Sequence, residues 1–166
     1  MSFLDFPDDD PKRAARRPLL AFILVTLVVG AGGSVFAEPN IPTWYAGLVQ
    51  PASAPPNWIF PPVWTALYVV MAVAAWRVWR ITGLKSPELI AYAVQLALNF
   101  LWCAIFFGAH QIGLALIEII VSALAILITT ILFFRRDALA GLLFLPTLGW
   151  TGFAAFLTHA FWVLNA

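Results

Sequence analysis

The chain has 166 residues, of which 63% are hydrophobic and 10% charged, and its net charge is +1. A water-soluble domain has about a quarter of its residues charged, so the composition excludes one, and the near-zero net charge excludes recruitment to nucleic acid by a basic field. The single cysteine, Cys103, excludes an internal disulfide and a cysteine metal cluster, and no Gly-rich phosphate loop, HExxH or GxSxG motif occurs.

Residues 1–17, with DDD followed by KRAARR, read as a solvated, disordered tail that sets orientation. Five apolar runs then follow, each of the about 17–25 residues that cross ~30 Å of hydrocarbon. They are 18–37, 62–79, 89–107, 112–134 and 138–161. Backbone in lipid must satisfy its own hydrogen bonds, so the expected fold is an all-α membrane protein, a five-transmembrane-helix bundle over residues 18–166. No internal repeat of the inverted-transporter kind is visible. The first run, closed by Val35-Phe36-Ala37, also has the outline of a signal peptide. It is long for one, and its Gly30, Gly32, Gly33 and Ser34 suit close helix packing.

All nine Lys and Arg residues fall in three places: Lys12 to Arg17, Arg77 to Lys85, and Arg135-Arg136. These precede span one, join spans two and three, and join spans four and five. The positive-inside rule then sets the N-terminus in the cytoplasm, odd spans running outward.

The loop 38–61 would lie outside. Pro51, Pro55, Pro56, Pro61 and Pro62 each fix φ and remove a donor, which makes the connection stiff. Ile41, Trp44, Tyr45 and Leu48 have near-helical spacing, so a short interfacial helix is expected over 41–49. Pro61-Pro62 suits the first turn of span two. An aromatic belt at the headgroups would explain Trp44 or Trp58 alone, but not the proline framework.

Span two carries Trp64 near its outer end and Tyr68 one turn deeper on the same face. In span three, at about 100° per residue, Gln95, Asn99 and Trp102 share one face and Ala93, Ala97 and Ala104 the other. An amide facing lipid is costly, so Gln95 and Asn99 face either a neighbouring helix or a cavity. The alanine face suits close helix approach, within or between chains. Glu118 is the only acid well inside a span. Three readings are open to it: a proton relay, a protonated neutral acid, or a bond to Ser122 one turn on. His110 and His159 lack a surrounding carboxylate–His–Cys cluster, so no metal site is expected. Span five runs outward and sets Trp150 near mid-membrane with Ala154 above it. By depth, Trp64, Tyr68, Asn99, Trp102, Trp150 and Ala154 converge beneath the proline loop.

These residues also carry a resemblance. Trp44, Tyr45, Leu48 and Pro51, then Pro55, Pro56, Trp58, Phe60, Pro61, Trp64, Leu67 and Tyr68, resemble the signature of the TspO/translocator protein family. These are the tryptophan-rich sensory proteins, or peripheral-type benzodiazepine receptors, and the chain looks like a bacterial-type member. AVQLALNFLW at 93–102 and LFLPTLGWTGFAAFL at 143–157 resemble that family's third and fifth helices.

The resemblance implies a five-helix bundle, often dimeric, with a ligand cavity beneath the first loop. Trp44, Pro55, Trp58, Trp64, Tyr68, Asn99, Trp102, Trp150 and Ala154 are the ligand-binding candidates. Gly30, Gly33, Ala93, Ala97 and Ala104 are the candidates for a homodimer interface. The implied ligand is a porphyrin, protoporphyrin IX or haem, or another flat hydrophobic molecule, with no required cofactor, and the implied surroundings are the lipid bilayer of a bacterial cell membrane, with an outer membrane as the other possibility. The implied role is a receptor or sensor in tetrapyrrole transport or stress regulation. Other readings are light-dependent porphyrin degradation and a small channel or secondary transporter. Ala52 and Ser53 stand where the family often has bulky residues, and Gln50 where a basic residue is common, which suggests a looser lid. Residues 157–163 lack the Tyr and basic residue of the proposed cholesterol motif, which disfavours a specific sterol partner.

Overall fold

A computed structural model of the protein describes residues 11–166, with side chains described from residue 16 onward. Five long helices cross the molecule: α1 Pro11–Asn40, α2 Phe60–Thr82, α3 Pro87–Cys103, α4 Ile112–Phe134 and α5 Ala138–Asn165. Among the described residues there are no strands. All five helices are long and apolar enough to span a membrane, and the protein is a multi-pass integral membrane protein. Leu20, Leu24, Val28, Ile117, Leu124 and Ile128 are among the large apolar side chains exposed on the outside of the bundle, the surface that lipid covers.

Span four begins and ends where the apolar run does. α1, α2 and α5 overrun theirs, since hydropathy marks the lipid crossing and hydrogen bonding carries the helix past it, whereas α3 ends at Cys103 and its run is completed by a π-turn, Ala104–Gly108. The largest difference is at α1, whose first seven residues lie in the expected tail. Pro11 is compatible with a first turn, and Lys12, Ala14, Ala15, Arg16 and Arg17 are strong helix formers. The remainder of that tail, 1–10, lies outside the described residues. The interfacial helix expected over 41–49 is instead a turn followed by a single 3-10 turn, Tyr45–Gly47. Pro51 drives Gln50 out of helical geometry, and too few residues remain for a stable helix. A second 3-10 turn, Asn57–Ile59, leads into α2, whose Pro61 and Pro62 sit in the first turn.

The helices form a closed ring in the order α1, α2, α5, α4, α3. The lipid tails outside are as apolar as the side chains, so close packing and polar contacts hold the ring. Half of its interior is solid. Met71, Ala75 and Val78 of α2 pack with Tyr92 and Leu96 of α3, Ile126 and Phe133 of α4, and Phe144 of α5. Within this half the Thr26 hydroxyl of α1 shares a hydrogen bond with the Tyr92 hydroxyl of α3.

The basic connections sit at the end beneath this core and are tied together. Arg77 meets Asp137 at 2.7 Å and Arg136 meets Glu88 at 2.6 Å, so the 83–86 and 135–137 connections share one end of the bundle. Asp137 and Ser86 also cap α5 and α3, accepting from Ala140 N and Leu89 N. The loop 41–59 and the C-terminal end of α5 lie at the opposite end. There a second apolar cluster, Tyr45, Phe106, Ala115, Leu157 and Phe161, closes the ring.

Candidate ligand cavity

Between the solid core and the closing cluster the ring stays open. The cavity has a volume of about 530 Å³, within the range of about 300–1,000 Å³ typical of small-molecule sites. Every helix lines it. α1 contributes Leu27, Gly30, Ala31 and Ser34, a strip of mostly small residues at helical spacing. α2 contributes Trp64 and Tyr68, one turn apart, with rings stacked at 5.6 Å and 30°. α3 contributes Asn99, Trp102 and Cys103.

A π-turn, Ala104–Gly108, follows α3 at once. Its wider winding, with Ala109 N bonded to Ala104 O at 2.8 Å, brings the consecutive Phe106 and Phe107 both onto the cavity. Trp102 and Phe106 are stacked at 4.9 Å and 16°. Ile119 and Ser122 of α4 and Thr151, Ala154, Leu157 and Phe161 of α5 complete the walls.

Glu38 at the end of α1, with Ile41, Tyr45, Asn57, Phe60 and Pro61, forms the roof. Tyr45 is buried against Phe106, Phe107 and Phe161, and that burial pushes its phenol pKa up. Three contacts hold the roof down. Trp44 stacks on the His110 imidazole at 4.3 Å and 12°. Asn40 and His110 share a hydrogen bond of 2.9 Å. Asn165 bonds both backbone groups of Val49. His110 has φ 58, the left-handed conformation that lets so short a connection turn from the π-turn into α4.

The polar groups of the walls are few. Asn99 Nδ2 donates to Gln95 O at 2.9 Å and to Gln95 Oε1 at 3.0 Å. Ser122 Oγ donates to Glu118 Oε1 at 2.8 Å. Thr151 Oγ1, Gln95 Nε2, Trp102 Nε1 and Glu118 Oε2 are buried with no partner among the described residues.

Residues 22–163 match the model of the TspO/MBR family. The chain belongs to the TspO/MBR family. It is 39% identical to the tryptophan-rich protein TspO of Archaeoglobus fulgidus over 150 residues, 89% of this chain and 97% of that one. It is 35% identical to the translocator protein of Homo sapiens over 149 residues, 87% of this chain and 88% of that one. It is 39% identical to the tryptophan-rich sensory protein of Cereibacter sphaeroides over 129 residues, 78% of this chain and 81% of that one.

The structure brings five of the nine TspO-type ligand candidates together on the cavity: Trp64, Tyr68, Asn99, Trp102 and Ala154. The other four lie off it. Trp44 is outside the roof on His110. Pro55 is not in the lining, and Trp58 is 71% exposed. Trp150 stands behind Phe60, edge-on at 6.0 Å. Tyr45, Phe60 and Asn57 hold the roof positions instead. A lid without regular periodicity carries no phase from which this exchange could be read. On α1, Gly30 and Ser34 were read as helix-packing residues, and Ser122 only as a partner for Glu118.

The dimer candidates divide in the same way. A Cβ at Gly30 would lie 2.3 Å from Tyr68 Cε2, and one at Gly33 would lie 3.0 Å from Cys103 Sγ. Both glycines therefore serve contacts inside the chain. Ala93 and Ala97 face outward, and Ala104 is half-buried at the start of the π-turn.

Proposed function

We propose that the protein is a membrane receptor or sensor that binds a flat tetrapyrrole, protoporphyrin IX or haem, in this cavity, with a role in tetrapyrrole transport or stress regulation. The observation that carries the reading is two stacked aromatic pairs that line one cavity. Trp64 with Tyr68 forms one, and Trp102 with Phe106 the other. Stacking on such rings contributes about 0.5–1.5 kcal/mol per contact beyond area burial, and a macrocycle offers flat surface to both. The rest of the lining is mostly apolar, as a hydrophobic ring system requires. The names of two relatives, tryptophan-rich sensory protein and translocator protein, agree with a ligand-responsive role.

The protein is further proposed to sit in a bacterial cell membrane with its basic end in the cytoplasm. It is proposed to pair as a homodimer through the exposed Ala93 and Ala97 of α3. The decisive experiment is a protoporphyrin IX titration of the protein in lipid nanodiscs, read by tryptophan quenching against empty nanodiscs. Saturable binding near one porphyrin per chain supports the reading. Quenching that rises without saturation rejects it.

A second reading has one observation in its favour. Two indoles, Trp64 and Trp102, line the cavity, where an excited porphyrin would meet oxidisable rings. Loss of bound porphyrin under light but not in darkness would favour degradation over sensing.

A further inference from the structure

We infer that the wall of the cavity formed by α3 and α4 is a hydrogen-bond-accepting surface. Among tetrapyrroles it favours one with a hydroxyl donor on the edge seated there over one without, and Ser122, oriented by Glu118, determines that specificity. The inference rests on the cavity being a porphyrin site.

Donor bookkeeping carries the argument. A serine hydroxyl has one proton and two lone pairs, and an amide nitrogen has two protons. Ser122 spends its proton on Glu118 Oε1 at 2.8 Å. Asn99 has its Nδ2 engaged twice, by Gln95 O and Gln95 Oε1. What these two lining side chains have left to offer the cavity is oxygen: Ser122 Oγ lone pairs and Asn99 Oδ1.

The Ser122 bond differs from the other hydroxyl bonds in the lining. Ser34, Thr65 and Thr158 donate back to carbonyls of their own helices, the ordinary habit of such residues in helices. Ser122 instead donates to a buried carboxyl oxygen of Glu118, one turn away. Glu118 itself stays behind the wall, with Oε2 buried and unpartnered among the described residues. An acceptor group of a ligand pressed against this wall would meet oxygen on oxygen, with no proton between. The accessible donors lie elsewhere. Trp64 and Tyr68 are on α2 and Asn57 is in the roof. The Trp102 indole N–H is buried away from the open space. A bound tetrapyrrole would therefore turn its carboxylates toward Trp64, Tyr68 and Asn57, away from the Glu38 carboxylate of the lining, and a peripheral hydroxyl toward Ser122.

Haematoporphyrin IX tests this, because it carries hydroxyethyl groups where protoporphyrin IX carries vinyls. Its bis-methyl ether keeps the oxygens and loses the donors. Dissociation constants for the three porphyrins are measured in nanodiscs by tryptophan quenching. The proteins are the unsubstituted chain, Ser122→Ala, Ser122→Thr and Glu118→Gln. The unsubstituted protein should bind haematoporphyrin about fivefold more tightly than the ether, the scale of one net hydrogen bond. That ratio should fall to near one in Ser122→Ala, shrink in Glu118→Gln and persist in Ser122→Thr. Equal affinity for haematoporphyrin and its ether in the unsubstituted protein overturns the inference, and this comparison depends on no variant folding. A preference that survives Ser122→Ala is steric rejection of the methyl groups and also overturns it. Failure of all three porphyrins to bind saturably is a different result, and it removes the porphyrin reading itself.

Discussion

Asn165, in the last turn of α5, holds Val49 of the roof by both backbone groups. Val49 N donates to Asn165 Oδ1 at 2.8 Å, and Asn165 Nδ2 donates to Val49 O at 3.1 Å. The same Nδ2 also donates to Phe161 O at 2.9 Å, which orients the amide from within its own helix. One side chain thus pairs with the loop as a neighbouring strand would, across 116 positions of sequence. Asn165→Ala removes both contacts while leaving every cavity-lining residue in place. Porphyrin dissociation should quicken about five- to tenfold, at ~1 kcal/mol net per hydrogen bond. Stopped-flow release into excess lipid measures it, and an unchanged rate would mean that the roof does not gate release.

Trp64 lines the cavity and Trp150 does not. Trp64→Ala should weaken protoporphyrin IX binding about tenfold, where ~1.4 kcal/mol is one decade. Trp150→Ala should act more mildly, through the Phe60 that it backs. Leu124→Ala, on the lipid-facing surface of α4, should leave affinity unchanged. If the three variants lose affinity equally, the porphyrin is dissolving in the bilayer.

Gly30 permits the close approach of α1 to the Tyr68 ring. Gly30→Ala sets a methyl group where the ring now lies, so the ring or the helix must shift. Overpacking of this kind costs about 1–3 kcal/mol. The thermal midpoint in detergent should drop, and the Tyr68 side of the cavity should lose ligand affinity with it. A variant as stable as the parent would show that α1 can move away from α2 without loss.

The basic connections share one end of the bundle and the roof lies at the other. Single cysteines at exposed Ser53 and exposed Lys85, in a Cys103→Ala background, should react with an impermeant maleimide from opposite sides of the membrane. The Lys85→Cys site should be the cytoplasmic one. Labelling of both from one side contradicts the five-span path, and labelling of Lys85→Cys from outside reverses the orientation.

Asp137 links stability to pH. Burial raises its carboxyl pKa, but the Ala140 N–H and the Arg77 guanidinium outweigh that and hold it below the ordinary 3.8. A depressed folded-state pKa contributes stability that is present above the unfolded value and is lost as pH falls through the folded one. The thermal midpoint should therefore be steady near neutrality and decline below about pH 4. Asp137→Asn should lower the midpoint at neutral pH and flatten the acid decline. An acid decline as steep in Asp137→Asn as in the parent would assign the effect to other carboxylates.

The spans were legible in the sequence because lipid acts on each segment separately. A run such as 112–134 must be helical and must cross, whatever its neighbours do. The shared end of the basic clusters followed from the number of crossings. The facing of Asn99 and Trp102 followed from helical phase, since residues separated by three share a side.

Other assignments depended on partners that no local rule supplies. Trp44 and Tyr45 are adjacent in a lid without a repeat, and docking on His110 and Phe161 decided that the tyrosine goes in and the tryptophan stays out. Gly30 and Gly33 announced a close approach, but only the ring of helices identified Tyr68 and Cys103 as what approaches. The π-turn at Ala104–Gly108 carries no composition signal, yet it brings Phe106 and Phe107 together onto the cavity. Hydropathy and helical phase are properties of one segment in a uniform solvent. The inward or outward setting of a lid aromatic, and the neighbour that a glycine admits, are properties of the gap between segments, and that gap exists only once all five helices have closed around it.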